Sequence, residues 1–487
     1  MEYEALIGLE VHAQIHTRSK MFCACPVMED TGDLPPNTYV CPVCTAMPGT
    51  LPVINRRAVE LTLMTGLALN CEIPPVTFFA RKSYFYPDLP KGYQISQHHL
   101  PLAVNGYLDV RVDGQTRRIR INNVHLEEDT GKLYHVGNVT LVDFNRAGVP
   151  LIEIVTEPDM RSAEEVRAYA EQLREILVYL GVNSGDMEKG VMRFEASVSV
   201  RPVGSDVLNP RHEIKNLNSF RALYRAVAYE IAHQIEVLQN GGRVVQQTMG
   251  WDEGRGVTYV QRSKEYAEDY RYFPEPDLPP LEVNREWLEE LRRQLPELPA
   301  VRRERFIREY GLGAYEADLL VADRAVADYY EAAVRLGKVG PKTIANWITV
   351  DLFRVMKETG RGLAELPLSP QALVDLIALV EGGVINLNTG REVLDEMTAT
   401  GREARAIVEE KGLAQISDEE ALLQVIEQVL DENPTQVAQY LGGKEQVAGW
   451  LMGQVMKATQ GKANPQRVRP LLVEALEARR RSLAKVE

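Results

Sequence analysis

The chain has 487 residues, 45% hydrophobic and 25% charged, with a formal net charge of −14. That length exceeds what one hydrophobic core serves, so two or three domains are expected in an ordinary soluble globular composition. No run of about 18 apolar residues is present, which excludes a membrane-spanning helix, and the acidic balance speaks against a surface built to coat nucleic acid. The start, Met1-Glu2-Tyr3-Glu4, lacks the basic stretch and apolar core of a signal peptide. A cytosolic (cytoplasmic) protein is expected, where clustered cysteines more often bind metal than pair.

In chain order, Ile7-Gly8-Leu9-Glu10-Val11-His12-Ala13-Gln14-Ile15 alternates as a strand, with Leu9, Val11 and Ala13 on one face and Glu10, His12 and Gln14 on the other. A loop rich in Pro and Gly follows, carrying Cys23, Cys25, Cys41 and Cys44. Arg118-Ile119-Arg120-Ile121 reads as a strand leading into His125-Leu126-Glu127-Glu128-Asp129, and Leu151-Ile152-Glu153-Ile154-Val155 as an apolar strand interrupted by one carboxylate. Ser162 and Glu165 form a capping box before a helix that stops at Gly181. Met192–Arg201 is the clearest strand, with Met192, Phe194, Ala196, Val198 and Val200 facing inward. Ser219 caps a second helix ended by Gly241-Gly242. Mixed strands and helices in this order predict an α+β domain with a mainly antiparallel sheet over residues 1–294.

Beyond about Leu295 only helical signals remain. Ser369-Pro370 starts a helix closed by Gly382-Gly383, and Ser417 with Glu420 opens another that Asn433-Pro434 ends. A helical domain over 295–404 and a small helical tail over 405–487 are expected. From Lys457 to Glu487 there are eight Lys or Arg against three Glu, which fits either a solvated terminal helix or a local patch for nucleic acid.

Cys23-x-Cys25 and Cys41-x-x-Cys44, fifteen residues apart, suit a closed tetrahedral zinc site; free or redox-active thiols are the alternative. Cys71 stands alone and is expected to act as a small buried hydrophobe. Acidic side chains recur on polar strand faces, where a solvated surface is the ordinary outcome. Glu153 differs, because an isolated charge in a β-branched run is costly unless paired or bound to metal. Carboxylates with one imidazole suit Mg²⁺ or Mn²⁺ working with a phosphate ligand. Ala80-Arg81-Lys82-Ser83-Tyr84-Phe85-Tyr86 and Tyr270-Arg271-Tyr272-Phe273 interleave cations with aromatics, for phosphate and base contacts or simply for packing. No Walker or Rossmann glycine pattern occurs.

Taken together, Ile7–His12, Lys20-Met21-Phe22, Tyr84–Asp88, Tyr93–Gln97, His125–Asp129, Asn145-Arg146, Pro150–Val155, Lys215–Phe220 and Asp269–Asp277 closely resemble the GatB family of aspartyl/glutamyl-tRNA amidotransferase subunits. Gly453–Ala458 and Gly461–Pro465 resemble that family's YqeY-like tRNA-binding tail. The resemblance implies an N-terminal cradle domain and a two-step reaction on mischarged tRNA. ATP phosphorylates the side-chain carboxylate of Glu-tRNA(Gln) or Asp-tRNA(Asn), and ammonia then displaces the phosphate. It implies His12, Glu128 and Glu153 as Mg²⁺ ligands with Glu10 beside them, and Lys82 along the ammonia route or the phosphate side. Glu195 and Lys215 would complete the pocket, with Arg193, Lys215 and Tyr84 on the nucleotide. Family members carry Asp where this chain has Glu195, one methylene longer. The chain has no Ser-Ser-Lys amidase signature, so the resemblance assigns ammonia release to a GatA glutaminase, bridged by GatC, with the cognate non-discriminating synthetase as a further contact. A scaffold that presents tRNA without catalysing is the alternative.

Overall fold

The computed structural model describes residues 2–28, 34–97, 99–263, 269–414, 419–459 and 461–483. The chain divides into two compact units, Met1–Pro299 and Ala300–Glu487. The first is built on an eight-stranded sheet: β1 (Tyr3–Gln14), β2 (Ala103–Val112), β3 (Gln115–Glu128), β4 (Pro150–Thr156), β5 (Met192–Pro202), β6 (His212–Leu217), β7 (Gln247–Asp252) and β8 (Val257–Ser263). Their order across the sheet is β8-β7-β6-β5-β1-β4-β3-β2, and only the β6–β7 pair is parallel. The N-terminal strand therefore lies in the middle of the sheet, paired on both sides.

One sheet face is covered by helices α1 (Arg56–Ala68), α2 (Ala163–Tyr179) and α3 (Phe220–Gln239). Leu9, Val11 and Ala13 of β1, Phe194, Ala196 and Val198 of β5, and Ile152 and Ile154 of β4 are almost fully buried against Val166, Leu173, Leu177, Leu223 and Val227. The alternation expected along β1 and β5 is present, because period-two side chains must choose between this core and the other face. Ser162 caps α2 by accepting from Glu165 N at 3.2 Å. The Glu165 carboxylate returns to Arg161 N at 2.7 Å, so the box closes one residue earlier than the spacing predicts. Ser219 caps α3, accepting from Ala222 N at 3.0 Å.

The second unit is helical among its described residues. One core runs from Phe306 to Val408 and includes the helix Pro370–Glu381, which Ser369 caps by accepting from Ala372 N. Another core runs from Leu422 to Leu476, gathered by the helices Glu419–Glu432, Val447–Ala458 and Pro465–Leu483. The cap expected at Ser417 lies outside the described residues; its helix is in place from Glu419. No described helix in either unit is long and apolar enough to cross a membrane.

Candidate active site

The face of the sheet not covered by helices carries the chemistry. Strand register sets Arg193, His12, Glu153 and His125 side by side across β5, β1, β4 and β3, with Glu195 beside Glu10 one step along. All these positions share the parity opposite to the core, so one row of side chains converges from four strands. The Glu153 Oε2 atom lies 3.3 Å from His12 Nε2 and 3.1 Å from His125 Nε2. His12 Nε2 is also 3.6 Å from Glu10 and 3.9 Å from Glu127, and His125 Nε2 is 3.7 Å from Glu127. Ser96 Oγ donates to Glu127 at 2.9 Å, and Asn123 Oδ1 lies 2.9 Å from His125 Nδ1, which fixes the imidazole plane.

The electrostatics follow from crowding. Burial raises the Glu10 carboxyl to about 7, aided by the neighbouring Glu153 and Glu195 charges. Burial also opposes charge on Glu153 and on both imidazoles, yet the mutual contacts win. Glu153 is held well below the usual carboxylate range by His125 and His12, and His125 rises to about 10 beside Glu153 and Glu127. A carboxyl pushed toward neutrality by burial and by anionic neighbours marks a place that favours added positive charge.

Donor atoms from Glu10, His12 and Glu153 lie within 4.8 Å of one another, as do those of His125, Glu127 and Glu153 and those of Glu10, Glu195 and Glu213. Oxygen-rich sets with one imidazole fit a hard divalent cation. Lys215 occupies the third set, with Nζ 2.8 Å from Glu195 and 3.2 Å from Glu213. Glu195, despite its longer arm, therefore sits at the cluster and is engaged by an ammonium.

Glu128 is placed elsewhere. Its carboxylate is 2.6 Å from Lys91 Nζ and accepts from Ile95 N at 3.0 Å, and it belongs to none of the three donor sets. Glu127 takes the position beside the imidazoles. Lys82 lies at the same edge, its Nζ 4.8 Å from the Tyr270 ring centroid and 6.0 Å from that of Tyr84. Arg193 bonds Asp129 at 3.1 Å through Nη2, while its buried Nε has no hydrogen-bond partner among the described residues.

The four cysteines also converge. Their sulfurs all lie within 4.8 Å of one another, with Cys41 and Cys44 at 3.9 Å. Four bonds of about 2.3 Å to a tetrahedral zinc would set sulfur–sulfur distances of roughly 3.8 Å. Cys41 N donates to Cys44 Sγ at 3.2 Å, and the buried Lys20 Nζ stands 3.6 Å from the same sulfur. The Cys23 thiol and then Lys20 draw the Cys44 thiol down to about 4 against the effect of burial. Asn37, Thr38 and Tyr39 tie the loop to Asp143 and Asn145. Cys71, outside this group, is half-buried against the main core.

Residues 5–289 match the family model of the GatB/GatE catalytic domain, and residues 328–476 match that of the GatB domain. The chain belongs to the GatB family. Its relatives include the aspartyl/glutamyl-tRNA(Asn/Gln) amidotransferase GatB protein of Thermodesulfovibrio yellowstonii, 52% identical over 98% of this chain and 100% of that one. The proteins of the same name from Thermomicrobium roseum and Moorella thermoacetica are each 54% identical. The first match covers 98% of this chain and 99% of the relative, the second 98% and 100%. The family's catalytic-domain match spans every residue of the carboxylate–imidazole row and the cysteine loop.

Of the residues expected from sequence, Glu10, His12, Glu153, Glu195 and Lys215 are brought together by the fold. His125, Glu127 and Glu213 join them without having been expected there. His125 and Glu127 carried a usable signal: they are two apart, so they share a strand face.

Proposed function

We propose that the chain is the subunit of a tRNA-dependent amidotransferase that phosphorylates the side-chain carboxylate of Glu-tRNA(Gln) or Asp-tRNA(Asn) with ATP and then directs ammonia to the acyl phosphate. The observation that carries this reading is the convergence of Glu10, His12, His125, Glu127 and Glu153 on one point of an open sheet face. A carboxylate is a poor electrophile. In the first step its oxygen bonds to the γ-phosphorus and ADP leaves; in the second, ammonia bonds to the carbonyl carbon, phosphate leaves and a proton is lost.

A divalent cation, Mg²⁺ by the oxygen-rich donor set, would offset phosphate charge here when bound. His12, Glu10, Glu127 and Glu153 would hold it, and Asn123 and Ser96 would fix the orientation of His125 and Glu127. Lys82 and Arg193 face the site as cations that a phosphate group can engage, and Tyr84 supplies an aromatic wall. Lys215 bridges Glu195 and Glu213 and limits their repulsion of the incoming polyanion. The cysteine loop serves as a structural zinc knuckle, since four sulfurs leave no position for substrate.

Family membership supports a multi-subunit enzyme. In this reading GatA provides the glutaminase, GatC bridges, the helical tail contacts tRNA, the cognate synthetase docks transiently, and the assembly works in the cytoplasm.

The test is phosphate release from ATP in the presence of Glu-tRNA(Gln), comparing wild type with Glu127→Gln and Glu128→Gln. Glu127→Gln is expected to lower turnover by about a hundredfold or more. Glu128→Gln is expected to act less on this step, because its partner is Lys91. Unchanged turnover in both Glu127→Gln and Glu153→Gln would reduce the chain to a tRNA-presenting scaffold. Metal analysis should give about one zinc per four thiolates, and a folded, metal-free protein would remove the knuckle assignment.

A further inference from the structure

We propose that Arg271 is a phosphate-binding residue at the rim of the carboxylate–imidazole cluster, taking a phosphoryl oxyanion either of the nucleotide or of the tRNA 3′ phosphodiester. The proposal rests on the reaction proposed above and adds a residue to it.

The first ground is the state of the cations around the cluster. Arg193 and Arg146 are engaged by Asp129, Lys215 by Glu195 and Glu213, Lys91 by Glu128, and Arg81 by Glu275 and Asp277. Each of these positive charges is already offset. Lys82 and Arg271 differ, for neither has a carboxylate partner among the described residues. Lys82 lies among aromatic rings, and the Arg271 side chain is exposed.

The second ground is backbone geometry. Arg271 has φ +46°, in the left-handed region. The six described non-glycine residues with positive φ include four Asn or Asp, whose short polar side chains tolerate it, leaving Ala46 and Arg271. A long, branched cation gains nothing locally from this conformation, which costs about 1 kcal/mol. The surroundings hold it in place. Arg271 N donates to Asp269 Oδ1 at 3.0 Å, Tyr270 O accepts from Ser83 N at 2.8 Å, and Phe273 and Pro274 pair with Arg81 and Ala80.

The consequence is a division of labour within three residues. Tyr270 packs edge-on to Tyr84 at 6.1 Å and to Tyr272 at 6.2 Å. The Tyr272 phenol is pushed up by burial and then by the Glu127, Glu153 and Glu10 carboxylates, so it faces the cluster. Both neighbours of Arg271 are turned inward while Arg271 stays in solvent. It shares this rim with Phe85, 83% exposed, whose ring covers Gly92. A planar guanidinium there can fork onto two oxygens of one phosphate, which the point charge of Lys82 cannot.

Arg271→Gly isolates the side chain, because glycine adopts this φ without strain and leaves the loop intact. Arg271→Lys keeps the charge without the fork. In the assembled amidotransferase, KM for ATP and KM for Glu-tRNA(Gln) are measured separately for both variants. Arg271→Gly is expected to raise one of the two by about tenfold, with kcat within about twofold and the thermal midpoint not lowered, and Arg271→Lys to recover part of the loss. A rise in the ATP value identifies the nucleotide as the source, and a rise in the tRNA value the phosphodiester. Two unchanged KM values, or a fall in kcat alone, overturn the proposal. Glu153→Gln in the same assay separates the failures. If it is silent, the reaction reading falls; if it abolishes turnover while both Arg271 variants are silent, only the role of Arg271 falls. Should Arg271→Gly not fold, the KM values of Arg271→Lys decide.

Discussion

Two histidine–glutamate contacts stand on opposite faces of one sheet, and their surroundings assign them different work. On the helix-covered face, His212 Nδ1 is 2.5 Å from Glu230 Oε1 of α3, both nearly inaccessible. The Glu230 carboxylate is also bonded by Gln234 at 3.0 Å and Thr258 at 2.8 Å. On the open face, Glu153 lies between two imidazoles, with Glu10 and Glu127 within 4 Å of the same nitrogens. The first group is closed, every carboxylate oxygen matched by a donor. The second has more carboxylates than its donors satisfy and converges on a point reachable from outside. A histidine–glutamate pair alone therefore says little about function; the surplus of unmatched ligand atoms around it says much.

Opposite phenotypes are expected from the two groups. Glu153→Gln should lower ATP-dependent amidation by about a thousandfold, or ~4 kcal/mol of barrier, and move the unfolding transition little, because the open face contributes few packing contacts. Glu230→Ala should do the reverse. It leaves His212 buried without its partner and should cost about 3 kcal/mol of stability in the first unit, with kcat of the folded enzyme unchanged. Replacing both His212 and Glu230 by leucine should recover most of that loss. Were Glu230→Ala to abolish turnover at full stability, the closed group would have to be counted with the open one as part of the reaction site.

The β1 and β5 rows were legible from sequence because strict period-two alternation crosses no irregularity. Glu10, His12, Glu195 and the core positions Leu9, Val11 and Phe194 all fall as the pattern requires. Strand β3 shows where such reading fails. Ile119 and Ile121 are buried, and continuing their parity would send Glu127 to the core and Glu128 to the open face. The register shift between Ile121 and Asn123 reverses the parity, so Val124 and Leu126 are buried instead and Glu127 joins His125. A one-residue irregularity has no clear signature in a single sequence, yet it decides which of two adjacent glutamates can reach the cluster. Similarly, Glu213 became visible only once β6 was paired beside β5, because long-range register is not written in local spacing.

Asp129 crosses the division between the two faces, being a carboxylate of the open-face region that is nonetheless structural. It is 4% exposed, accepts from Gln14 at 2.7 Å, Arg193 at 3.1 Å and Thr130 N at 2.9 Å, and has Arg146 Nε at 3.6 Å. Burial disfavours its charge, but Arg146 and Arg193 outweigh that and hold its carboxyl well below the usual carboxylate range. A depressed carboxyl contributes stability that is complete above its unfolded value and is lost as pH falls through the folded one. Relative to Asp129→Asn, the wild type should thus be more stable by about 2 kcal/mol at pH 7, and the gap should narrow steadily below about pH 4. Exchange protection of β1 and β5 amides at several pH values reads this difference directly, with the other titrating groups cancelling between the two proteins. A gap that stayed constant down to about pH 2 would mean that hydrogen-bond geometry, and not the charge on Asp129, holds Arg193 in its place beside His12.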